Sequence, residues 1–259
     1  MTQLNNITLI AAVNNHSVLE SNLLRSPLLQ HKNVQFIPAE NFTSASQAYN
    51  YGIANATGKF LVFAHQDVYI PAPWLHQLNN AINFLKKKRL PWAVLGVVGV
   101  NASGIVKGRC WSTGLGREVG VSIREPEPAV SVDELIIIVR KRSGLTFDNN
   151  LPGWHLYGTD IVQEALKQDF GAYIIHAPVI HNSLPVLSLD SGFVECSHYL
   201  QSKWTHRLPI QTCCIKLTRF GWPLLWRRIR QLHVTMDSRD SFSPLPDPVI
   251  KAQELKYED

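Results

Sequence analysis

Short runs of apolar, β-branched residues alternate with amphipathic stretches along the first half of the chain. Ile7 to Val13 is an unbroken hydrophobic run that stops at Asn14-Asn15, the form taken by a strand buried on both faces. Ser17 to Glu20 has capping-box spacing, and leucines at 19, 23 and 24 put an apolar stripe on the helix expected next. Val34 to Ile37 predicts a second strand. Ser44 to Gln47 opens a second helix, running through Ala48 to Ala54 and closing near Gly58, and Phe60 to Ala64 predicts a third strand. This β-α-β-α-β order implies an α/β fold with a Rossmann-like, mostly parallel central sheet flanked by helices, its ligands bound beyond the carboxyl ends of the strands.

The later pattern predicts a helix from Trp74 to about Lys88, a strand over Trp92 to Val100 and a loop over Arg117 to Val130. Leu135 to Val139 and Ala172 to Ile175 read as strands, Asp160 to Lys167 and Ser191 to Lys203 as helices. Beyond Leu208 the periodicity weakens. A main domain over 1–210 is therefore expected, with a C-terminal helical extension over 211–259 that ends in a proline-rich, extended tail at Ser241 to Pro248.

With 259 residues, 45% of them hydrophobic, the chain can bury one core and a small extension. No apolar run approaches the roughly 20 residues a bilayer requires. Met1 to Asn6 has no basic leader, which leads to the expectation of a cytoplasmic protein. The four cysteines show no C-x-x-C spacing and read as reduced packing residues. A net charge of +5 and a pI near 9.0 fit an anionic partner. Neither zinc-finger spacing nor an aromatic RNP-like strand accompanies the charge, so nucleic acid is not the partner expected. Residues 219–230 mix Phe220, Trp222 and Trp226 with Arg219, Arg227, Arg228 and Arg230, the make-up of a helix lying on an anionic membrane, although Pro223 limits its length and packing on a protein surface is the alternative.

Chemistry concentrates where the third strand ends, at Phe63-Ala64-His65-Gln66-Asp67-Val68. A carboxylate there can hold a divalent cation that bridges two phosphates, since hard cations prefer oxygen ligands. Equally, Asp67 can cap the turn before Pro71-Ala72-Pro73.

The order of strand, helix, strand and helix with Asn50 and Gly58, followed by Phe60 to Asp67, resembles the N-terminal half of the family 2-like glycosyltransferases of GT-A fold. Within them it is similar to the subgroup named for a streptomycin-biosynthesis protein, whose metal triplet has the form His-Gln-Asp. The second half keeps the family's order: Val132-Asp133-Glu134-Leu135, Val139-Arg140-Lys141, Phe147-Asp148, Trp154-His155-Leu156-Tyr157-Gly158-Thr159-Asp160, and Gly171 to Asn182. The resemblance spans Ile7 to Ile210. It implies an inverting, metal-dependent transfer of a sugar from a nucleotide-diphosphate donor to the hydroxyl of a glycan, a lipid-linked acceptor or a small molecule, as in polysaccharide biosynthesis; contact with the inner face of a membrane would rest on residues 219–230 alone.

On the same resemblance Asp67 and His181 hold Mn2+ or Mg2+, with His181 preferred to His176, and Asp160 is the catalytic base that deprotonates the acceptor. Asn14, Glu40, Asn50 and His65 bind the donor, and Trp154 and His155 the acceptor. Lys203 reads as a solvated helix end. Two departures stand out: His65 replaces the first aspartate of the family's Asp-x-Asp, and Thr159-Asp160 replaces a Glu-Asp pair. They keep open a second reading, a catalytically degenerate relative that binds a nucleotide sugar or glycan or scaffolds a partner. A nucleotidyltransferase is disfavoured, because Ala12-Val13-Asn14-Asn15-His16 is not a glycine-rich basic loop.

Overall fold

The computed structural model describes residues 6–184, 189–231 and 245–258, with the side chains of all of these except 227–231. From the N-terminus, β1 (Ile7–Val13), α1 (His16–Ser21), β2 (Val34–Glu40), α2 (Ala45–Asn55), β3 (Phe60–His65), β4 (Val68–Tyr69) and α3 (Trp74–Lys87) form the first half. β5 (Trp92–Gly96), β6 (Val98–Val100), β7 (Val106–Gly108), β8 (Cys110–Ser112), β9 (Arg117–Val119), β10 (Glu127–Pro128), β11 (Ser131–Val132) and β12 (Ile136–Arg140) follow. The remainder is α4 (Tyr157–Lys167), β13 (Gly171–Ile174), β14 (Val179–His181), α5 (Ser191–Lys203), β15 (Ile210–Gln211), β16 (Lys216–Leu217), α6 (Trp222–Gln231) and α7 (Pro248–Glu254).

The fold is mixed α/β around a central sheet of order β10-β13-β5-β12-β3-β1-β2. The first three strands pair in parallel as the sequence implies, but β12 enters antiparallel between β3 and β5, and β10 pairs antiparallel with β13. Strand alternation builds a core on each face. Ile10, Phe63, Ile137 and Val139 point to the side covered by α2, α4 and α5, whereas Leu9, Val62, Ile136 and Ile138 point to the side covered by α3. Each such side chain contributes about 1.5–3 kcal/mol when fully buried. At the edge, β2 tolerates Pro38 because one side of it needs no ladder partner.

Several boundaries differ from the sequence expectation. The run Trp92 to Val100 is two strands in two sheets, because the chain leaves the central sheet after Gly96, where a Cβ would sit 2.6 Å from the Val132 side chain. The expected loop of 117–130 contains β9 and β10, edge strands too short for an alternating pattern. Asn15, not Ser17, caps α1, its side chain accepting the Val18 N–H at 3.2 Å. Ser44 caps α2 as its spacing implies. Residues 245–247 of the expected tail are without regular structure, and a helix begins at its last residue, Pro248, because Asp247 accepts the N–H groups of Val249 and Ile250 and proline suits the first helical position. The first part of the tail, 241–244, lies outside the described residues.

Residues after 210 share the central core: Leu217 and Leu224 are buried within it, and β15 pairs with β16 across that boundary. The C-terminal segment folds back onto the sheet β4-β14-β8-β9. There Tyr69 Oη donates to Glu258 at 2.6 Å, Asn182 Nδ2 donates to the Pro246 carbonyl at 3.1 Å, and Arg25 pairs with Asp247 at 2.8 Å. None of the four cysteines forms a disulfide among the described residues. Among the described residues no helix is long and apolar enough to cross a membrane.

Candidate functional site

β3 ends in His65, and the chain then turns through Gln66 and Asp67 into β4. Register does the rest. β14 pairs antiparallel with β4 so that His181 lies opposite Val68, and the Asn182 N–H donates to the Asp67 carbonyl at 2.8 Å. His65, Asp67 and His181 thereby each offer one ligand atom, all within 4.8 Å of one another. Asn182 is locked in turn, its side chain bonded to Thr113, Asn22 and the Pro246 carbonyl.

The His181 Nε2 to Asp67 Oδ1 distance is 3.4 Å, an ion-pair separation at which Asp67 Oδ1 is buried without a hydrogen-bond partner. Burial opposes the charge on Asp67, but His181 and His65 outweigh it and hold the carboxyl well below its usual range. For His181 burial is likewise outweighed, by Asp67, and its pKa is raised. Burial dominates at His65 and lowers its pKa. An orphaned carboxylate oxygen facing two imidazoles is a donor set that fits a divalent cation, and two nitrogen donors suit manganese or zinc better than magnesium. His65, expected to touch the donor, belongs to this cluster.

His65 Nε2 lies 2.8 Å from the Tyr157 hydroxyl. Tyr157 opens α4 and packs with Tyr49, Phe63 and Phe147 in an aromatic group whose ring centroids lie 4.9–5.9 Å apart. The residue before the helix, buried Leu156, has φ 62°, a left-handed conformation that a leucine adopts only under constraint. This turn aims the N–H groups of Leu156 and Gly158 at the half-buried Glu134 carboxyl. Burial, assisted by Asp133, pushes that carboxyl up to about 8, and the two N–H groups pull the other way. Neither Tyr157 nor Glu134 is assigned a role by its sequence pattern. An acidic residue just before an apolar strand was the available signal.

Asp160 sits one turn into α4, 2% exposed. Its carboxylate accepts from Trp204 Nε1 at 2.7 Å and Lys203 Nζ at 2.9 Å. Lys203 also reaches Asp148 at 2.7 Å and Glu164 at 2.9 Å, so it is the centre of a half-buried ion cluster and not the solvated helix end expected. Burial raises the Asp160 pKa although Lys203 and Trp204 oppose it.

Asn50 is committed elsewhere too. Its amide donates to the Phe147 carbonyl and to Asn149, and its oxygen accepts the Phe147 N–H, all at 2.8–2.9 Å. It pins the 147–149 loop instead of presenting a free amide to a donor. Asn14 remains exposed beside the site, its side chain and backbone tied to Gln66. Glu40 is exposed and lies 3.5 Å from His16. Trp154 is 43% exposed, and His155 faces Asp190 at 3.4 Å and the Phe193 ring. His176 lies apart from the metal cluster, its Nδ1 buried without a partner.

No family model and no curated protein matches the chain. Among solved structures it is similar to GalNAc-T7 with UDP, GalNAc and Mn2+ (12% identity over 78% of this chain, TM-score 0.47). It is also similar to the mannosyltransferase PcManGT from Pyrobaculum calidifontis with GDP-Man and Mn2+ (12%, 80%, 0.49) and to S. aureus TarS (14%, 76%, 0.44). The chain spans 51% of the first of these structures and 65% of each of the other two.

Proposed function

We propose that this chain is a divalent-metal-dependent glycosyltransferase of GT-A type that takes its sugar from a nucleotide-diphosphate donor. The observation that carries the reading is the orphaned Asp67 carboxylate between His65 and His181, where β3 and β14 end. His65, Asp67 and His181 would hold the cation, which supplies positive charge to the departing diphosphate. Asn14, just after β1, and Glu40, the last residue of β2, line the donor side, and Trp154 offers an apolar face to an acceptor sugar beside His155.

Transfer also needs a base for the acceptor proton. Asp160 is poorly placed for it, because Lys203 and Trp204 occupy both its oxygens. Glu134 is the better candidate: it is half-buried beside Tyr157, and its raised pKa makes its ionised form a stronger base, one that gains as pH rises toward 8. A single in-line displacement then inverts the anomeric centre. The turn before α6 and its first residues, with Phe220, Trp222 and Trp226 each at least 60% exposed and Arg219 beside them, fit contact with an anionic membrane carrying a lipid-linked acceptor. Flotation with phosphatidylglycerol vesicles, lost on Trp222→Ser and Trp226→Ser together, tests that contact.

The deciding experiment is calorimetry with uridine, guanosine and thymidine diphosphates, with and without Mn2+, followed by donor hydrolysis and transfer assays. Metal-dependent binding and turnover, both lost in Asp67→Ala, are the expected result. Binding without turnover of any donor would instead favour the degenerate, scaffolding reading. Glu134→Gln should remove transfer and leave donor binding intact, and full transfer by that variant returns the base role to Asp160, to be checked with Asp160→Asn.

A further inference from the structure

At the end of the central sheet away from His65, a second site is built from cations. The last turn of α3, the start of β5 and the end of β12 enclose a cleft of about 450 Å³. Lys86, Arg89, Arg140 and Arg142 line it, and no carboxylate does. Several other described cations have acidic partners: Lys203 meets three carboxylates, Arg109 meets Glu118, Lys107 meets Glu127 and Arg25 meets Asp247. Among the described residues none of the four cleft cations pairs with an acid. A run of lysines on an exposed helix end would be solvated and unremarkable, but here two arginines from a separate strand and turn converge on it.

Arg140 is held in place, its guanidinium stacked 5.3 Å from the centre of the Trp92 ring. Burial, with a contribution from the neighbouring Arg142, lowers its pKa. Trp92 and Phe170 belong to an apolar wall beside the charged rim. Guanidinium forks match phosphate oxygens two at a time, and several cations around one concavity favour a multivalent anion over a lone carboxylate.

The geometry points to a binding site for a small phosphorylated ligand, its phosphate or diphosphate held by Arg140, Arg142, Lys86 and Arg89 and its carbon body set against Trp92 and Phe170. β3 runs from Phe60, stacked on Trp92, to His65, so the cleft lies about 16 Å along the strand from the metal cluster. It therefore stands or falls separately from the glycosyltransferase reading. The ligand can be a soluble phosphate ester or the headgroup of an anionic lipid.

Calorimetry with inorganic pyrophosphate in low salt, with a chelator present so that the His65, Asp67 and His181 cluster takes no part, is the first arm. Flotation with phosphatidic acid vesicles against phosphatidylcholine vesicles is the second. Saturable binding in either arm is expected, at least tenfold weaker in Lys86→Gln/Arg142→Gln, whose exposed side chains leave the core untouched. Pyrophosphate binding without vesicle retention assigns a soluble ligand, and variant-sensitive retention assigns a lipid. The proposal is overturned by absence of binding in both arms, by binding that the double variant leaves unchanged, or by equal competition from sulfate at matched ionic strength.

Discussion

Burial acts on Glu134 and Asp160 in the same direction, yet the two carboxyls end in opposite circumstances. Asp160 has a lysine and an indole on its oxygens, whereas Glu134 faces Asp133, Tyr49, Tyr157 and Cys196, none of which offers positive charge. With a folded pKa near 8 against an ordinary 4.5, Glu134 binds more proton in the native state than in the unfolded chain. Its contribution to stability is therefore full below pH 4.5 and declines as pH rises through 8. Glu134→Gln should abolish this decline and raise stability at pH 8.5 by a few kcal/mol at most, on the order of 1.4 kcal/mol per pKa unit, with little change at pH 4.5; urea unfolding at the two pH values measures it. Lys203→Met should act the other way. It leaves Asp148, Asp160 and Glu164 facing one another without their shared cation, at a cost of about 3–5 kcal/mol near neutral pH, and lowering the pH toward 5 should recover part of the loss in the same assay. Neither setting was visible in the sequence, because the partners come from far along the chain: Lys203 and Trp204 lie 43 and 44 residues from Asp160, and Asn149 lies 99 from Asn50. Asp67 and His181 could be paired in advance only through motif order, which carries no distances.

Among the elements, those that announce themselves by hydrophobic pattern are the ones buried on both faces. β1, β3 and β12 are apolar runs of five to seven residues, and α3 and α5 were read to within one residue of their observed limits. A run of isoleucines, however, records burial and not direction, so the antiparallel insertion of β12 could not be read from it. The break between β5 and β6 was hidden for the same reason, since both pieces are fully buried. Capping was the more legible of the local signals at Ser44 and failed at Ser17, where Asn15 stood two residues earlier with an equally good acceptor. α7 depends on such a cap. Asp247→Ala removes both the helix cap and the pair with Arg25, and should cost about 1 kcal/mol or slightly more. Amide exchange should report faster opening in 249–257 with the central sheet unchanged.

On the scale of the whole molecule, the cluster of His65, Asp67 and His181 joins two sheets: His65 closes a strand of the central one, and His181 closes a strand of the four-stranded one. A cation held there would tie the two together and add to stability by mass action. At a hundredfold excess over its dissociation constant the gain is about 2.7 kcal/mol, or roughly 5–10 °C in Tm for a chain of this size. Mn2+ should raise the melting temperature of the wild-type protein by that order in a thermal scan, a chelator should reverse it, and Asp67→Asn should show neither effect. Gly158 limits engineering of the same region. A Cβ there would lie 2.6 Å from the Val132 carbonyl oxygen, so no side chain fits at that position without moving β11. Gly158→Ala should lose about 1–3 kcal/mol through overpacking, read from the shift in its urea midpoint.

The antiparallel place of β12 also governs what a ribosome releases. β5 hydrogen-bonds only to β12 and β13, and β3 has β12 as its outer neighbour. A nascent chain ending near residue 130 therefore presents β3 as an open sheet edge and β5 as a strand with no neighbour at all, both strongly apolar. Closure waits for Arg140 to emerge, and stalling or truncation before that point exposes adhesive strands to whatever else is being synthesised nearby.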